Sequence, residues 1–75
     1  MKYRLEYIVQ WLKEIGGGTL REFPCREIIE KPTEEEAISD ARKLIENIRV
    51  NGKVCANVRF MRIDQEEKTT EISLI

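Results

Sequence analysis

The chain has 75 residues, of which 36% are charged, and its net charge is only −1. A chain this short buries about 60% of the surface that it exposes when unfolded, so it forms one domain, residues 1–75, with a small core. Balanced charge does not attract nucleic acid or an acidic membrane, and no apolar stretch approaches the ~20 residues of a membrane span. Charges also interrupt the N-terminal MKYRLEY, which excludes a signal peptide and predicts a cytoplasmic protein.

Residues 2–15 are compatible with two structures. As a helix, the segment would place its aliphatic residues in one stripe that stops at Gly16. As a strand, it would place every second side chain on one face: Tyr3, Leu5, Tyr7, Val9 and Trp11. Composition favours the strand, because Tyr, Ile, Val and Trp suit a pleated surface.

The next segment predicts a hairpin with this first strand. Folding the chain about Gly17, within a Gly16-Gly17-Gly18 loop, brings apolar side chains of the two arms opposite one another. The predicted pairs are Trp11 with Phe23, Val9 with Cys25, and Leu5 with Ile29. Such pairs contribute roughly 0.2–1 kcal/mol each, and glycine suits a tight loop. Pro24 lacks an N–H donor, so the second arm is predicted to lie at an edge of the sheet.

A helix is predicted from Pro32 to Ile48. Thr33 is a suitable N-cap, and Glu36 lies three residues later, as in a capping box. The apolar residues recur with a helical period and form one stripe: Ala37, Ile38, Ala41, Leu44, Ile45 and Ile48. The pair Asn51-Gly52 tolerates the positive φ of a C-terminal stop.

Two further strands follow. In residues 53–63, simple alternation points four side chains inward, Val54, Ala56, Val58 and Phe60, and five outward, Cys55, Asn57, Arg59, Met61 and Ile63. After a polar turn at residues 64–67, residues 69–75 form the last strand. Its inward side chains Thr70, Ile72 and Leu74 are expected opposite Phe60, Val58 and Ala56.

These elements predict an α+β fold of order ββαββ, with one four-stranded antiparallel sheet in strand order 2-1-3-4 and the helix on one face. The order places Pro24 at an edge. One helix, about 10 Å across, cannot cover four strands at about 4.8 Å spacing. The rings of Tyr3, Tyr7, Trp11 and Phe23 are expected to fill the flank beside it.

The outer face of this sheet is the predicted interaction surface. It mixes charged residues with more aliphatic residues than a monomer usually exposes. A homodimer at micromolar concentration, or binding of an unknown protein through this face or through the last strand, is therefore predicted. The proposed contacts are Ile8, Leu12, Arg59, Met61, Ile63 and Ile75.

Other function classes receive less support. The chain has no histidine, and nothing links Cys25 or Cys55 to a base, so no catalytic residue, cofactor, metal or small-molecule substrate is predicted. The two cysteines are expected to be reduced, since a bridge needs their strands to lie close. Single-stranded nucleic acid binding on the open face is the alternative function, and it is disfavoured because the aromatic residues are expected toward the helix.

Overall fold

The computed structural model describes residues 1–13 and 19–74, with only the backbone of residues 12, 13, 19 and 20. The elements are β1 (Lys2–Lys13), β2 (Thr19–Glu30), α1 (Glu34–Val50), β3 (Val54–Ile63) and β4 (Thr69–Ile72). The predicted glycine loop and Ile75 lie outside the described residues. Residues 2–13 of the first segment therefore form a strand, and the helical alternative is wrong for them.

The sheet has the predicted topology. Its strand order is β2-β1-β3-β4, and all three neighbouring pairs are antiparallel. Pro24 lies on the edge strand β2, where the missing donor does not interrupt a central ladder. The α+β class and the strand order are thus confirmed.

Both ends of α1 have the predicted capping residues, although the helix begins and ends two residues later than predicted. Thr33 Oγ1 accepts a hydrogen bond from the Glu36 amide at 3.3 Å. At the other end, the Gly52 amide donates to Arg49 and the Lys53 amide to Ile48, a Schellman motif with Gly52 at φ +79°. Over the described part of the chain, no helix has the length and apolar content needed to cross a bilayer.

The core lies between α1 and one face of the sheet. Its buried members are Tyr3, Leu5, Tyr7, Ile29, Ala37, Ala41, Ile45, Cys55 and Phe60. The two alanines are fully buried, which lets the helix backbone approach the strands. The rings of Tyr3 and Phe60 stack at a centroid distance of 5.4 Å and join β1 to β3 beneath the helix.

Two strand registers differ from the prediction by two residues. Phe23 lies opposite Val9 and Arg21 opposite Trp11, so the β1–β2 pairing is shifted relative to the predicted pairs. On β4, Ile72 rather than Thr70 lies opposite Phe60. Side chains alternate with period two, so a shift of two leaves every residue on its predicted face and changes only its neighbours.

A β-bulge in β3 overturns the predicted faces of its first half. Glu6 pairs with Arg59 and Ile8 with Ala56, so two residues of β3 oppose one of β1. The bulge coincides with Asn57, whose φ is +53°. One extra residue reverses the alternation, so Cys55 is buried against the helix, whereas Val54, predicted to point inward, is 58% exposed.

Substitutions at Asn57 are expected to show whether this residue has the left-handed conformation of the bulge or the extended conformation of a regular strand. Asn57→Gly should leave stability within about 1 kcal/mol of the wild type, because glycine adopts positive φ without strain. Asn57→Val should cost about 1–3 kcal/mol, because a β-branched residue is strained there. Urea unfolding measures both, with Asn47→Val on the exposed side of α1 as the control. Equal midpoints for the glycine and valine variants would contradict a left-handed residue at this position.

Candidate binding surface

The β1–β2 hairpin is longer than the helix that covers it. Its strands have 12 residues each, about 40 Å, whereas the 17 residues of α1 span about 25 Å. Strand β3 pairs with β1 only from Lys2 to Gln10. The far end of the hairpin therefore extends beyond both the helix and the third strand.

Two large aromatic side chains lie on the helix side of this uncovered end. Trp11 is 46% exposed and Phe23 is 47% exposed. Tyr3 and Tyr7, on the same face nearer the chain termini, are buried as predicted. The prediction that all four rings fill the flank is wrong for Trp11 and Phe23, because α1 ends before it reaches them.

Two cations accompany the rings. Arg21 is exposed and lies directly opposite Trp11 on β2. The Lys53 Nζ atom lies 6.0 Å from the Trp11 ring centroid, at the limit of a cation–π contact. We call Trp11, Phe23, Arg21 and Lys53 the aromatic end. It carries local positive charge although the whole chain has a net charge of −1.

The carboxylates of β2 that are nearest to the aromatic end are those of Glu22 and Glu27. Glu22 belongs to the opposite face, where its Oε1 accepts from Gln10 Nε2 at 3.0 Å. Glu27 is on the helix side but lies four residues further along β2 than Phe23, opposite Leu5, and accepts from the Tyr7 hydroxyl at 3.5 Å. Within the described part of the chain, neither carboxylate is paired with Arg21 or Lys53, so among these residues the charge of the two cations stays available to a ligand.

The outer face presents a network of charged side chains. Arg4 and Arg26 contact the two carboxylate oxygens of Glu6 at 3.5 and 3.6 Å, and Arg59 pairs with Glu71. Arg4 also lies over Met61, with 3.8 Å between its Nη2 atom and the sulfur. Charged groups that already have partners thus occupy much of this face.

The residues predicted as an interface are distributed across this network. Met61 is 1% exposed, while Ile8 and Ile63 are half-buried. Arg59 is exposed and forms an ion pair with Glu71. The side chain of Leu12 and the whole of Ile75 lie outside the described residues. The interface itself stays a prediction, but the described members form no open apolar patch.

The sheet edges have features that hinder the addition of another strand. Pro24 interrupts the donors of the β2 edge, and β4 has only four paired residues. On the other side, the part of β3 beyond β4 contains the Asn57 bulge. Bulges, prolines and short edge strands all reduce edge-to-edge pairing.

The two cysteines lie on strands that are not neighbours. Cys25 is on β2 and Cys55 on β3, with β1 between them, so about 9–10 Å separates the strands. A disulfide needs Cα atoms within about 7 Å, and both thiols are free. Burial raises the pKa of the Cys55 thiol, which keeps it protonated. Within residues 1–13 and 19–74, no three Cys, Asp or Glu side chains are placed to hold a metal ion.

Tyr7 is expected to make stability depend on pH in the alkaline range. Burial, with Cys25 and Glu27 nearby, raises its pKa from 10.0 to about 12. The folded state then holds a proton that the unfolded state has lost, so the stabilisation present below about pH 10 disappears as pH rises through about 12. The loss of folding stability between about pH 10 and about pH 12 should be about 2–3 kcal/mol smaller in Tyr7→Phe than in the wild type, since each pKa unit corresponds to about 1.4 kcal/mol.

Urea unfolding at a series of pH values measures this effect. Both proteins keep Cys25 and Cys55, so the difference between their two curves reports Tyr7 together with its interactions with the two thiols. Parallel curves from about pH 9 to about pH 12 would show that the Tyr7 pKa is close to its usual value.

Comparison of the chain with protein-family models, with curated proteins and with solved structures gives no match. Evidence for function therefore comes from the geometry above. The sequence analysis missed the aromatic end because it compared the width of the helix with the width of the sheet, and did not compare the length of the helix with the length of the strands. That second comparison was possible from the sequence, since the predicted hairpin arms are longer than the ~25 Å of a 17-residue helix.

Proposed function

We propose that this chain is a small non-enzymatic protein-interaction domain that binds its partner non-covalently through the aromatic end. The observation that carries the proposal is the near half exposure of Trp11 and Phe23 on a sheet face whose other rings are buried. Tryptophan and other aromatic side chains are enriched at protein interfaces, where Trp and Tyr often contribute most of the binding energy.

The alternatives within the fold are less suitable for binding. A partner on the outer face would have to cover the paired charges of Glu6, Arg26 and Arg59. Burying such pairs carries a desolvation cost that their mutual attraction often does not exceed. An edge-strand partner would meet Pro24 or the bulge. The aromatic end has neither obstacle.

Selection of random peptides displayed on phage tests the proposal. The wild-type chain is the bait, and the Trp11→Ala/Phe23→Ala variant is used to remove peptides that bind elsewhere. We expect enriched peptides that bind the wild type and lose binding to the variant. Absence of enrichment, or peptides that bind both proteins equally, would overturn the proposal.

A second copy of the chain, docked on the outer face, is the competing protein partner, and the exposed Ile28 side chain on that face favours it. Light scattering across a dilution series measures the mass. A dimer that Ile8→Glu dissociates and Trp11→Ala leaves intact would assign association to the outer face instead of the aromatic end.

A further inference from the structure

We infer that the aromatic end takes an extended, acidic segment of another protein that carries a large apolar side chain between its carboxylates. The inference rests on the proposed function and names the chemistry of its partner. Three features of the surface lead to it: its shape, its charge and the spacing of its rings.

The shape favours a narrow ligand. Helix α1 ends at Val50, and the side chain of Lys53, three residues later, lies over the Trp11 ring. The C-terminal end of the helix is therefore beside the aromatic end. A helix is about 10 Å across, and it rises above the sheet by that amount next to the rings. A broad globular surface would meet the helix first, whereas an extended segment can lie alongside it on β2.

The charge favours an acidic ligand. Arg21 lies opposite Trp11 on β2, and the Lys53 Nζ atom lies 6.0 Å from the Trp11 ring centroid. A second copy docked here would bring identical cations together. Carboxylates on a different chain would instead be complementary, which sets specificity and raises the association rate.

The ring spacing favours one large apolar side chain. Trp11 lies opposite Arg21, and Phe23 lies opposite Val9, so the two rings are diagonal neighbours on one face. Diagonal positions are about 7–8 Å apart, so one ring or branched aliphatic group of a ligand can contact both rings at once. A third ring there could pack edge-to-face against both.

A nucleic acid strand is the other ligand class that stacks on rings beside cations. It requires a positive groove that follows the backbone. On the helix side of β2 the next charged residue after Arg21 is Glu27, so positive charge does not continue along this face of the strand. An acidic peptide needs only the local cations, and the observations favour it.

Two synthetic peptides with the same apolar residues test the inference: Glu-Phe-Asp-Leu-Glu and Lys-Phe-Lys-Leu-Lys, both with blocked termini. Trp11 is the only tryptophan of the chain, so its emission reports binding at the site. At low ionic strength we expect the acidic peptide to bind at least about tenfold more tightly than the basic one, as two exposed ion pairs allow. Added salt should weaken its binding.

A charge reversal provides the second arm. Arg21→Glu with Lys53→Glu should reverse the preference, so that the basic peptide binds more tightly. The matched control, Lys43→Glu with Lys68→Glu, makes the same change of net charge away from the site and should keep the acidic preference.

The possible outcomes separate the inference from the proposed function. Ring-dependent peptides from the selection that show no acidic preference would overturn the inference and leave the proposed function standing. No ring-dependent peptide at all would overturn both. Tighter binding of oligothymidylate than of the acidic peptide, lost in Trp11→Ala, would assign the surface to nucleic acid and overturn the inference.

Discussion

Phe60→Ala is expected to destabilise the protein by about 3–5 kcal/mol, the usual cost of removing a buried phenylalanine ring. Phe60 is 2% exposed, and its ring stacks on Tyr3, so the substitution leaves a cavity where β1, β3 and α1 meet. A domain of this size has a total stability of roughly 4–11 kcal/mol. The variant should therefore be largely unfolded or close to it, as measured by circular dichroism during thermal and urea unfolding.

Val54→Ala is the matched control for this prediction. Val54 lies on the same strand but is 58% exposed on the outer face, as the bulge dictates. Its truncation should cost less than about 0.5 kcal/mol, as is usual for surface substitutions. A loss of about 2 kcal/mol or more for Val54→Ala, as for a buried aliphatic side chain, would mean that the bulge is absent and that β3 keeps simple alternation.

Trp11→Ala combined with Phe23→Ala is expected to weaken binding of the selected peptides by at least about 100-fold. Central aromatic contacts often contribute about 2 kcal/mol or more each, and about 1.4 kcal/mol corresponds to a factor of ten. Both rings are about half exposed, so their removal should lower the free energy of unfolding far less than Phe60→Ala does. Fluorescence anisotropy of labelled peptides measures the affinity, because the variant has no tryptophan.

The control for this pair removes two other exposed apolar side chains. Ile28→Ala with Val54→Ala truncates residues that are 55% and 58% exposed on the outer face, away from the two rings. Peptide affinity should stay within about twofold of the wild type, since energetically neutral contacts surround most binding centres. Equal losses in both double variants would refute a localised site and indicate general hydrophobic adhesion.

Local signals in the sequence were sufficient for the elements and their order. Thr33 and Gly52 cap the helix at the predicted positions, because capping depends on hydrogen bonds within a few residues. The alternation around Tyr3 and Leu5 identified the first strand. Pro24 then placed β2 at an edge, since a missing donor is tolerated there. These constraints are short in range and lead to one strand order.

The pairing between strands required more than local pattern. The shift of two residues in the β1–β2 hairpin keeps the same faces, so apolar alternation could not distinguish the two registers. The alternation of apolar residues could not predict the bulge at Asn57. The bulge lets β3 pair with β1 while both Cys55 and Phe60 stay buried under the helix. Both conditions depend on residues that are distant from Asn57 in the sequence.

Composition and periodicity by themselves determined a small α+β domain with a capped helix over an antiparallel sheet, because these signals act between residues close in the chain. Only the tertiary structure decided which rings stay uncovered. Exposure of Trp11 and Phe23 follows from where α1 ends along a longer hairpin, and burial of Met61 follows from the position of Arg4 on the neighbouring strand. Both depend on contacts between distant segments, which pack to fill space and not to satisfy a local pattern.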